Sequence, residues 1–132
     1  MVWAYGRFYP GVANNGYGTN WNMYNKVVDA YERLAKVFDN AKIIPSGVAM
    51  QIAREHFGDS LHRDGIHCSE MGRVLTGWVW FECLTSISAL DSKFKPQDTK
   101  ASYMEGNINI TDEEEKLFRA AAHKAVLKYT AL

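Results

Sequence analysis

The densest run of groups able to carry a reaction is Leu61-His62-Arg63-Asp64-Gly65-Ile66-His67-Cys68-Ser69. Asp64 and His67 stand three residues apart, and Gly65 between them permits a tight turn. That spacing lets the carboxylate accept a hydrogen bond from one imidazole nitrogen while the other takes a proton from a nucleophile. Such a pair is a general-base module: the carboxylate sets the tautomer and orientation of the ring and stabilises its cation. The plainer reading of the same residues is a turn capped by Asp64 with a surface histidine beside it. Two other chemistries share the run. His56, His62, Asp64, His67 and Cys68 could be read as metal ligands, but their spacing matches no strong zinc pattern. Cys68 could be read as a nucleophile, but a thiol next in sequence to His67 points elsewhere in space. We expect neither a metal nor a cofactor.

Positioning these groups is a matter of the surrounding elements. Val2-Trp3-Ala4-Tyr5 is β-branched and aromatic, stops at Gly6, and reads as a short buried strand. A loop of turn formers runs to Asn20, which looks like an N-cap. Trp21, Tyr24, Val27, Val28, Tyr31, Leu34, Ala35 and Phe38 then recur at helical spacing. Ala41-Lys42-Ile43-Ile44 before Pro45 reads as a second strand, so strand, helix and strand form a parallel crossover. Further helices are expected from Gly47 to Phe57, and after Ser69, where Met71 to Leu84 is apolar around most of its girth and should be largely buried. A long connection covers 86–109. Thr111 and Glu114 match a capping box for a final helix over 112–129, with Leu117, Phe118, Ala121, Ala122, Ala125, Val126 and Tyr129 as its stripe. Trp78, Trp80 and Phe81 read as core, His123 as a surface residue, and Tyr5, Tyr9, Tyr17 and Trp21 as core or as walls of a substrate cleft.

The expected fold class is therefore α/β: an incomplete three-layer arrangement with a short parallel sheet and about four helices, within a single partial domain over 1–132. A two-stranded parallel sheet is marginal by itself, and a chain that starts inside a strand reads as the second part of something longer. Fifteen Lys+Arg balance 15 Asp+Glu without a basic block, which excludes the electrostatic footprint of a nucleic-acid binder. No run reaches the ~20 apolar residues of a bilayer span, and the start lacks the pattern of a signal peptide. We expect a soluble chain with no membrane partner. Two cysteines are too few for a disulfide framework.

Asp64-Gly65-Ile66-His67 followed by Ser69-Glu70-Met71-Gly72-Arg73 resembles the last motif block of the SGNH (GDSL-type) hydrolases, the D-x-x-H that supplies the acid and base of a Ser-His-Asp triad. Trp3-Ala4-Tyr5, Ile43-Ile44-Pro45-Ser46-Gly47-Val48-Ala49 and Gly72-Arg73-Val74-Leu75, in this order, extend the resemblance over nearly the whole chain, to a branch of that superfamily found in gut Bacteroidetes. The resemblance implies a flavodoxin-like fold, with Asp64 as the orienting carboxylate and His67 as the base. Its implied substrate is an ester, such as an O-acylated carbohydrate. The family's nucleophile and oxyanion blocks belong upstream of Trp3 and have no counterpart here. Gly58-Asp59-Ser60-Leu61 spells the family's nucleophile signature, but it follows a helix rather than the first strand, so Ser60 reads as a loop residue. The alternatives are an inactive split chain that acts only by association, through self-pairing or a partner chain at an open sheet edge, and a metal-binding module.

Overall fold

The computed structural model describes residues 18–95 and 109–130. These residues form four helices: α1 (Asn20–Ala35), α2 (Ser46–Phe57), α3 (Glu70–Thr85) and α4 (Asp112–Thr130). The expected α/β class is corrected here, because the described residues contain no strand and no sheet. Val2–Tyr5 lies outside the described residues, and the long connection is described only to residue 95 and from residue 109. The second expected strand, 41–44, is irregular chain closed by local turns: the N–H of Ala41 donates to Phe38 O at 3.1 Å, and the N–H of Ser46 to Ile44 O at 3.0 Å. An apolar run of this length registers burial without specifying backbone. Ile43 and Ile44 obtain that burial against helices, not within a ladder.

Each helix has its own start signal. At α1 the cap is Thr19, whose hydroxyl accepts from the N–H of Asn22 at 3.2 Å. Asn20, the expected cap, is buried instead, and its side-chain oxygen accepts from Gln51 at 3.0 Å and Arg54 at 2.7 Å, both on α2. Ser69 caps α3 as expected, accepting from Gly72 N at 3.2 Å. The capping box of α4 is reciprocal: Glu114 takes the Thr111 N–H at 2.8 Å, and the Thr111 hydroxyl takes the Glu114 N–H at 3.2 Å.

Helices α2, α3 and α4 pack against one another and enclose the core. Small residues on α4, Ala121, Ala122 and Ala125, permit close approach, while Phe118 fills the centre, with its ring centroid 4.7 Å from that of Phe57. Met50 and Ala53 of α2 and Leu75, Trp78 and Val79 of α3 complete it. Helix α1 is tied to α4 by the Tyr129 hydroxyl, which donates to Glu32 at 2.8 Å. Burial and that bond to the Glu32 carboxylate both push the Tyr129 phenol above its usual range. Helix α3 is less buried than its composition suggests, since Trp80 is 41% and Leu84 70% exposed.

Candidate functional site

The chain between α2 and α3 folds as a small hairpin. Arg63 N donates to His67 O at 3.0 Å, Ser69 N donates to Leu61 O at 3.0 Å, and His62 and Cys68 form an isolated antiparallel bridge. Gly65 turns the chain at its tip with φ +83°, a conformation that costs a residue with a Cβ. Leu61 is wholly buried and anchors one limb in the core. The other limb ends at Ser69, whose hydroxyl donates to Ser60 O at 2.6 Å while capping α3. Gly72, one turn into α3, lies directly against the hairpin: a Cβ there would stand 2.2 Å from Leu61 O.

Asp64 and His67 meet at the tip. His67 Nδ1 lies 2.6 Å from Asp64 Oδ2, while Asp64 Oδ1 accepts the backbone N–H of His67 at 2.7 Å and that of Ile66 at 3.1 Å. One carboxylate thus closes the turn with one oxygen and holds the ring with the other. The backbone N–H of His67, then its side chain, then the N–H of Ile66 hold the Asp64 carboxyl well below the usual carboxylate range. An ionised carboxylate only accepts, so Nδ1 carries the proton in the neutral ring and the lone pair sits on Nε2. No described residue engages Nε2, and the His67 side chain is 60% exposed. Nε2 is therefore the ring nitrogen left facing the surroundings at the tip of the hairpin.

The competing readings resolve differently. In the Gly58-Asp59-Ser60-Leu61 string, Gly58 ends α2, Asp59 pairs with Arg54 at 3.5 Å, the Ser60 hydroxyl donates to Phe57 O at 2.6 Å, and Leu61 is core. Every member of the string therefore has a local structural task. Burial raises the Cys68 thiol to about 11 against the opposing pull of Arg73, so it is not ionised near neutrality. Among the described residues no three His, Cys, Asp or Glu side chains converge as a cation site. Tyr5, Tyr9 and Tyr17 lie outside the described residues, and Trp21 is exposed with its ring edge-on to Tyr24.

Two polar clusters escaped the sequence reading because their partners are distant in the chain. His123, expected at the surface, is half-buried with Nδ1 2.8 Å from Glu82 Oε1 and 3.2 Å from Ser88 Oγ. Carboxylate and hydroxyl address the same ring nitrogen, so the serine does not stand across the ring as a nucleophile would. Glu82 also accepts the Ala89 N–H at 2.8 Å, which makes the cluster a clasp on the chain leaving α3. Arg119 pairs with Glu115 at 2.9 Å, stacks 4.2 Å from the Trp78 ring, and donates to Ala89 O, Ser92 O and Phe94 O.

The family described as "Domain of unknown function (DUF4886)" matches residues 1–124. The chain belongs to this family. Among solved structures it is similar to a DUF4886 family protein from Bacteroides uniformis, with 33% identity and a TM-score of 0.78. The match covers 96% of this chain and 46% of that one, so the chain spans about half the length of its solved relative. No curated protein matches. No helix of the described residues is long and apolar enough to cross a membrane.

Proposed function

We propose that this DUF4886 chain contributes the base and orienting carboxylate of a serine esterase, acting on ester bonds such as those of O-acylated carbohydrate. The observation that supports it is the 2.6 Å contact between Asp64 Oδ2 and His67 Nδ1, which leaves Nε2 as the basic nitrogen at an exposed tip. The resemblance of the Asp64–Arg73 run to the SGNH esterases supports the same roles. A serine from outside the described residues would lose its proton to His67 Nε2 as its oxygen attacks the acyl carbonyl. The imidazolium, stabilised by Asp64, would return that proton to the departing alkoxide, and a water activated the same way would release the acid.

The test joins the chain with the portion of the Bacteroides uniformis protein that lies outside the match, and assays activated acyl esters together with fluorophosphonate labelling of serine. Turnover and labelling are expected, with a loss of roughly 10³-fold or more in His67→Ala and at least about 10²-fold in Asp64→Asn. Ser60→Ala should leave both unchanged. Activity that survives His67→Ala, or a folded pair that neither hydrolyses these esters nor takes the label, would overturn the proposal.

A further inference from the structure

The hairpin that carries His67 has two faces, and their occupants differ. The hydrogen bonds from Arg63 N to His67 O and from Ser69 N to Leu61 O flank the His62–Cys68 bridge, so His62 stands opposite Cys68 and Arg63 opposite His67. Neighbouring residues along each limb point to opposite sides. His62 and Cys68 are buried and half-buried, whereas Arg63 and His67 are both exposed. Residues directly opposite on one face hold their Cβ atoms ~5 Å apart, so the Arg63 side chain starts beside the imidazole whose Nε2 is open.

Arg63 also differs from the other described arginines. Arg33, Arg54, Arg73 and Arg119 pair with Asp29, Asp59, Glu70 and Glu115 respectively. Among the described residues the Arg63 guanidinium has no carboxylate partner, although Asp64 is next to it in the chain. The reason is local. Asp64 Oδ1 accepts from the backbone N–H groups of Ile66 and His67, and Oδ2 holds the His67 ring, so both oxygens are engaged within the tip. A full positive charge is thereby left unpaired on the face that carries the base.

We infer that Arg63 is a specificity-determining residue that reads a carboxylate on the substrate, so that the esters served by His67 are those of acidic sugars. This rests on the esterase reading above and names its substrate class. A guanidinium presents N–H donors in a planar fork, which matches a carboxylate in shape and in charge. A neutral acylated sugar leaves those donors to water, so the carboxylate separates two substrates that carry the same acyl group. The bond from Arg63 N to His67 O, at 3.0 Å, keeps the two residues in register across the hairpin.

The experiment takes the assembled protein of the preceding test and compares acetyl esters of glucuronic acid with the same esters of glucose. The ratio of their kcat/KM values should favour the acid about fivefold or more, and shrink as salt is raised. It should fall to near unity in Arg63→Gln, recover in part in Arg63→Lys, and reverse in Arg63→Glu. A ratio near unity in the native assembly, or one that Arg63→Gln leaves unchanged, overturns the inference while the esterase reading stands. A second measurement needs no turnover: glucuronate is titrated into the 132-residue chain and read at the arginine side-chain Nε–H signals by NMR. Arg63 should shift with glucuronate and not with glucose, while Arg33, exposed but paired with Asp29, stays in place. A shift at Arg63 no larger than at Arg33 overturns the inference. A clear Arg63 shift, with an assembly that hydrolyses neither ester, ends the esterase reading and leaves Arg63 as a carboxylate site.

Discussion

The Asp64 carboxylate is asked to do two things with two oxygens, and the division has a measurable signature. Its strongest stabilisation comes from the backbone N–H of His67, and the side chain of His67 is second. His67→Ala removes the second and keeps the first, so the Asp64 titration should move only part of the way back toward an ordinary aspartate. In the native chain, carboxyl carbon NMR should find Asp64 still ionised below about pH 4, where a free aspartate is half protonated. The sign of the linkage follows. A carboxyl depressed on folding stabilises the hairpin above the unfolded value and loses that contribution as pH falls through the folded one. An Asp64 that titrates normally would mean that the turn is not closed as described. The residue types and spacing announced this pair. They were silent on Arg119 and placed His123 at the surface, because the partners Glu82, Ala89 and Phe94 lie 25 or more residues away.

At the level of elements, the hairpin is positioned by α3 rather than by its own hydrogen bonds alone. Gly72 is where the two touch. Gly72→Ala would drive a methyl group into the Leu61 carbonyl, and because the obstacle is backbone it cannot turn aside. We expect a loss of roughly 1–3 kcal/mol in chemical denaturation and a displaced His67 ring in the spectrum of the folded fraction. Neutral behaviour would show that α3 does not seat the hairpin. Helix existence was legible from apolar periodicity and from local caps at Ser69 and Thr111. The cap at α1 was misplaced by one residue, because Asn20 and Thr19 are both good capping residues, and only the side-chain network with Gln51 and Arg54 on α2 decides between them.

For the whole molecule, stability rests on one shared core in which α4 meets both α2 and α3. Phe118 is fully buried at that junction, so Phe118→Ala should cost roughly 3–5 kcal/mol, a large share of what a domain of this size possesses. A loss under 1 kcal/mol by denaturant titration would place the core elsewhere. The amino-acid order by itself determined what is local: which stretches are helical, where two of the caps fall, and that a carboxylate and an imidazole three residues apart can meet across a glycine turn. Tertiary structure alone decided that Ile43 and Ile44 lie irregularly against helices, that His123 is clasped by Glu82, and that Leu84 is left bare. The reason is physical. Caps and turns are governed by neighbours along the chain. An apolar residue is committed only to leaving water, and what it leaves water for depends on surfaces contributed from far away in the sequence.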